Sequence, residues 1–60
     1  MKTGWYVLRI MPTKEWPYVT TLIVIGPCET TEEINRRLMV EQFQFEYKVR
    51  RWDGEKWSAS

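Results

Sequence analysis

Sixty residues carry nine Lys and Arg against eight Asp and Glu, a net charge of +1, with one cysteine and no histidine. The near balance of charge excludes a polycation drawn to phosphate by its overall field. The solitary Cys28 excludes a disulfide within the chain, and without histidine the common structural zinc sets are out of reach.

A chain this short buries only about 60% of its unfolded surface and needs dense packing or a partner. The material for packing is aromatic: Trp5, Trp16, Trp52, Trp57, Tyr6, Tyr18, Tyr47, Phe43 and Phe45 are nine large rings. One small core cannot be expected to hide them all, so some belong at a surface or between two copies of the chain. Met1-Lys2-Thr3-Gly4 runs directly into a strand-like segment, with no apolar stretch of signal-peptide or membrane length. Together with a single free cysteine, which fits a reducing compartment, this gives the expectation of a soluble cytoplasmic protein, of the source cell or of a host.

Trp5 to Met11 (WYVLRIM) follows a glycine and is rich in β-branched and aromatic residues, which predicts a strand. Tyr6, Leu8 and Ile10 fall on one side, and Trp5, Val7, Arg9 and Met11 on the other. That second side is too apolar for an ordinary solvated face, so the strand is expected to be covered twice or to meet another chain. Pro12 to Pro17 (PTKEWP) is bracketed by two residues without a backbone donor and reads as a loop. Trp16 lies within it, either folded over the core edge or presented as an anchor.

Tyr18 to Ile25 (YVTTLIVI) is almost continuously apolar and β-branched, as a central strand would be, and Gly26-Pro27 is expected to stop it. The connection back to the first strand is too short for a parallel crossover, so the two should form an antiparallel hairpin. Thr30 can cap a helix starting near Thr31 and running to about residue 39, with Glu33 placed to complete a capping box. Ile34 and Leu38 form its narrow buried stripe. Its acids lie at the positive end of the dipole, with Arg36 and Arg37 toward the other end.

From Phe43 the chain alternates: Phe43, Phe45, Tyr47 and Val49 against Gln42, Gln44, Glu46, Lys48 and Arg50. This predicts a strand over 43–52 with one buried and one wet face, and the wet face, ending beside Trp52, is the expected seat of a second molecule. Two hairpin registers follow it. A two-residue turn at Asp53-Gly54 pairs Arg51 with Lys56, whereas a turn over Arg51-Trp52-Asp53 with Gly54 as a bulge pairs Arg51 with Glu55 and Val49 with Trp57. The second exchanges a like-charge pair for an opposite one, about 0.2 to 1 kcal/mol, and is preferred. The last strand then covers about 55–58.

The whole is one α+β domain over residues 1–60, β-β-α-β-β, a four-stranded antiparallel sheet with one helix packed on a face. No enzyme is expected, because the parts are missing. There is no histidine for proton transfer, and a nucleophilic cysteine or serine needs a base held by a third group. Cys28 reads as a small residue in a strand-to-helix turn. Glu32 and Glu33, adjacent on a helix, do not face each other as a carboxylate pair would. No cofactor and no metal is implied.

Lys48, Arg50, Arg51 and Trp52, with Arg9 or Lys56 nearby, are the one basic and aromatic concentration. Such a set could track phosphates and stack on bases, which makes a nucleic-acid-binding module the alternative function. Glu46, Asp53 and Glu55 lie among these residues, so the same hairpin also fits a plain solvated face. The leading expectation is a protein-binding module. The folded chain should expose about 4,000 Å², of which one standard interface of about 800 Å² takes a fifth. Its excess of Trp, Tyr, Met and Arg is the composition that interface hot spots favour. Trp5, Met11, Trp16 and Trp52 are the candidate anchors, and a homodimer through an edge strand or through the apolar side of Trp5 to Met11 is a further expectation. In size, aromatic content and lack of catalytic parts the chain is similar to accessory proteins of bacteriophages and other mobile elements that bind and block host factors. That resemblance implies an inhibitor or modulator and carries over no site residue.

Overall fold

The computed structural model describes residues 1–15 and 19–59. In chain order it holds β1 (Gly4–Pro12), β2 (Val19–Cys28), α1 (Thr31–Glu41), β3 (Tyr47–Trp52) and β4 (Trp57–Ser58). The strands form one antiparallel sheet in the order β2-β1-β3-β4. The α+β architecture expected from the sequence is the one observed. Trp16, the rest of its loop through Pro17, and Tyr18 at the expected start of the second strand lie outside the described residues.

The helix packs on one face of the sheet. Ile34, fully buried, joins Val7, Ile25 and Cys28 in the core, and Trp5, Val24, Leu38, Phe43 and Val49 pack around them. Thr30 caps the helix as expected, its Oγ1 accepting from the Glu33 amide at 3.3 Å. At the other end Gln42 takes a left-handed conformation (φ 50°) and donates its amide to the Leu38 carbonyl at 3.0 Å, which satisfies one of the free carbonyls of the last turn. Helix and cap thus run past the expected end at residue 39.

Four expectations need correction. First, the apolar run of β2 is at the sheet edge and not at its centre; the interior positions go to β3 and to β1, which offers apolar side chains on both faces and so can be used on both. Leu22 and Ile23 of β2 consequently remain 46% and 49% exposed. Second, Gly26-Pro27 does not end β2. The peptide bond between them is cis, Gly26 has φ +127°, and the strand absorbs both residues through two irregularities in its register with β1, reaching Cys28 opposite Trp5.

Third, β3 starts at Tyr47, so the alternation from Phe43 is only partly strand. Phe43 docks against the core directly after the helix cap, Phe45 packs on it with ring centroids 4.7 Å apart, and the Arg9 guanidinium lies 4.4 Å from the Phe45 ring centre. Side-chain packing holds this segment, with one backbone bond of 3.4 Å from the Ile10 amide to the Glu46 carbonyl. Fourth, neither hairpin register occurs. Trp52 pairs with Trp57 and Arg51 with Ser58, leaving residues 53–56 as a four-residue loop. The Asp53 carboxylate closes it by accepting the amides of Glu55 (2.8 Å) and Lys56 (2.9 Å), and Gly54 takes the positive φ of +104°. A charge-pairing argument could not see this, because one side chain's bonds to backbone outweigh a weak exposed ion pair.

Candidate binding face

Residues directly opposite each other on neighbouring strands share a face. The pairs Val7–Val49, Val7–Ile25 and Trp5–Arg51 therefore lie on the helix side of the sheet. The pairs Tyr6–Arg50, Leu8–Lys48, Leu8–Ile23, Ile10–Thr21 and Trp52–Trp57 lie on the face the helix leaves uncovered. The sequence places β1 correctly as apolar on both sides, but it is the Trp5/Val7 side that the helix covers, while Tyr6, Leu8 and Ile10 face away from it.

With no second layer over them among the described residues, Tyr6 and Leu8 are nonetheless only 2% and 6% exposed. The shielding is local. The Trp57 ring stands edge-on to Tyr6, centroids 5.4 Å apart at 85°, and packs on Trp52 at 5.1 Å. The Tyr6 hydroxyl donates to the Lys2 carbonyl at 2.6 Å, which satisfies its one polar group. Arg50 folds its guanidinium back to the Val49 carbonyl at 2.7 Å, so its stem lies along the sheet.

Between these side chains is an open hollow of about 340 Å³, lined by Leu8, Ile10, Thr21, Lys48, Arg50 and Trp57. Its floor is aliphatic and its rim holds two cations and an indole. None of the strand positions assigned to this face by pairing is a carboxylate. Two acids border these positions: Glu46, two residues before Lys48, whose backbone carbonyl accepts the Ile10 amide, and Asp53, which is occupied in the loop, where the Lys56 and Glu55 amides hold its carboxyl below the usual carboxylate range, with a smaller contribution from Arg51. The face can bury an apolar group and meet negative charge beside it.

Protein-family models, curated proteins and solved structures were all compared with the chain, and none matches. Geometry alone must speak for the site.

The sequence-derived candidates are divided by the fold. Lys48, Arg50 and Trp52 come together on the open face, whereas Arg51 points to the opposite side, beside Trp5. Trp5 packs against the core, and Met11 lies on the helix side of β1, opposite Thr20 at the edge. Trp16 lies outside the described residues. Sequence reasoning missed Trp57, which it set beside Val49, and with it the aliphatic floor of Leu8 and Ile10. The signal was present: Asp53 followed by glycine can close a loop by bonding to amides two and three residues on, which puts Trp57 opposite Trp52.

A second cleft of about 250 Å³ lies between the end of β2 and the helix, lined by Cys28, Glu33, Arg36 and Arg37. The Cys28 thiol there is buried in the core, where it behaves as a small apolar group. Among the described residues no cluster of three or more His, Cys, Asp or Glu could hold a metal ion, and no helix is long and apolar enough to cross a membrane.

Proposed function

We propose that this protein is a non-enzymatic binding module that docks a partner protein on its open sheet face and acts as a small inhibitor or modulator of that partner. One observation carries the reading: an uncovered hollow with a Leu8/Ile10 floor, rimmed by Trp57, Lys48 and Arg50. An aliphatic floor has nothing to offer a phosphate backbone, whereas an apolar side chain flanked by carboxylates satisfies floor and rim together. The molecule also exposes 4915 Å² at 7.3 kDa, against about 4,200 Å² for a compact chain of that mass, in keeping with a thin slab that has one layer to spare. The indole, the guanidinium and the rigid sheet beneath them supply the anchors that hot spots use.

The test is capture from source or host lysate on tagged protein, with and without nuclease, comparing the wild type with Trp57→Ala and Lys48→Glu, and with Met39→Ala on the exposed helix surface as control. A stoichiometric protein that survives nuclease, is lost with both face variants and is kept by the helix variant is the expected result. Retention by both face variants would sink the proposal.

A second reading has its own support: Lys48, Arg50 and Trp52 share this face with Trp57, and single-strand binders combine cations with flat rings. It predicts captured nucleic acid that disappears with nuclease and a complex that weakens steeply with salt.

A further inference from the structure

The edge strand β2 is built unlike most edges. Exposed edges are ordinarily protected by charge, proline, bulges or shortness, because a free row of amides and carbonyls pairs with whatever strand it meets. Val19–Cys28 contains no charged residue. Its proline and both register irregularities lie toward the Cys28 end, so from Val19 to Ile23 the strand runs in unbroken register with β1. In that straight part Leu22 and Ile23 are about half exposed, one on each face of the sheet. On the opposite side β4 has only two residues, and the part of β3 it leaves uncovered carries the charges of Lys48 and Arg50, the ordinary protection of an edge.

We infer that β2 is the pairing edge for a second copy of this chain, the two strands joined antiparallel about a two-fold axis through Leu22. The symmetry follows from the pleat. A two-fold axis perpendicular to the sheet keeps both helices on one side, and because facing residues must then share a face, the axis passes through a residue that meets its own counterpart. With Leu22 on the axis, the exposed leucines cover each other and Ile23 of each copy lies opposite Thr21 of the other. In such an isologous contact any charge would meet itself. A strand with no charged residue meets no such repulsion, and a net charge of +1 per chain adds little. The use of one long uncharged edge per copy also closes the assembly at two, since the far side offers only the short β4 and the Lys48/Arg50 stretch of β3.

A second copy satisfies this edge without help from any other partner, so dimerisation stands or falls independently of what the open face binds. It would nevertheless shape that face. Thr21, beside the axis, also lines the hollow, so the dimer carries two hollows side by side on one continuous eight-stranded sheet.

Sedimentation equilibrium of the purified chain over a range of concentrations is the test, joined to mild oxidation of a Leu22→Cys variant. The wild type is expected to pass from monomer to dimer as concentration rises, and Leu22→Lys, which sets two ammonium groups across the axis, to weaken dimerisation roughly tenfold or more while far-UV circular dichroism stays unchanged. Leu22→Cys should form an intermolecular disulfide, since facing residues on antiparallel strands fall within bridging distance, whereas Thr20→Cys and the wild type, with its buried Cys28, should not. A wild type that stays monomeric up to its solubility limit, a Leu22→Lys protein that dimerises as before, or a disulfide that forms at Thr20→Cys and not at Leu22→Cys would each overturn the inference.

Discussion

The ring of Tyr6 occupies the space that a side chain at Gly26 would need: a Cβ there would stand 2.5 Å from Tyr6 Cδ1 and 2.7 Å from the Trp5 carbonyl oxygen. The glycine also holds φ +127°, a conformation that L-residues rarely adopt. Gly26→Ala therefore meets both a clash and backbone strain, and should lose at least about 2 kcal/mol of stability in urea unfolding. An unchanged midpoint would mean that Tyr6 does not pack over β2.

Asp53 makes stability depend on pH. Its carboxylate accepts two amides and its pKa is lowered on folding, so the folded state binds this proton less readily than the unfolded chain. The stabilisation is present above the unfolded value of about 3.9 and fades as pH falls through the lower folded value. Thermal unfolding followed from pH 6 downward should show this loss in the wild type. Asp53→Asn, which keeps an acceptor oxygen but cannot titrate, should lack that component, and Asp53→Ala should be less stable at neutral pH.

Ile34 is the one fully buried side chain of the helix. Ile34→Ala removes three carbons from a thin core and should cost about 2 to 5 kcal/mol, enough to unfold much of the population in so small a domain. Met39→Ala, at a position 77% exposed, should change little. Chemical denaturation of both variants separates a helix held by one stripe from one held more broadly.

Trp57→Ala should uncover Tyr6 and remove the Trp52 contact while the helix-side core stays packed. Loss of two aromatic contacts and part of a large ring's burial predicts a decrease of about 1 to 3 kcal/mol. The near-ultraviolet circular dichroism of the coupled indoles should collapse while the far-ultraviolet helix signal remains. A Trp52–Trp57 signal that survives in Trp5→Ala would locate it on the open face.

How far the sequence speaks depends on how local each determinant is. The Thr30 cap, the Ile34/Leu38 stripe and the antiparallel return of β2 on β1 depend on neighbouring residues and were legible. The edge position of β2 was not, because an apolar run looks alike whether covered by a strand or left open. At Phe43 and Phe45 the alternation was real but did not decide the backbone, since a left-handed Gln42 and ring packing on the core intervene. Three of the four members of the basic–aromatic set were legible, Lys48, Arg50 and Trp52; its completion by Trp57 depended on one side chain, Asp53, turning inward to its own loop.

Val7 packs with Ile34 on one side of β1, and on the other Tyr6 and Leu8 are shielded by neighbouring side chains at the base of the open hollow. The molecule thus has two shallow apolar regions on opposite sides of one sheet, and the nine consecutive residues of β1 contribute to both. A break anywhere in β1 would disrupt both at once, so no fragment on either side of it inherits a complete apolar region. The chain is indivisible in a way that its small size alone does not require.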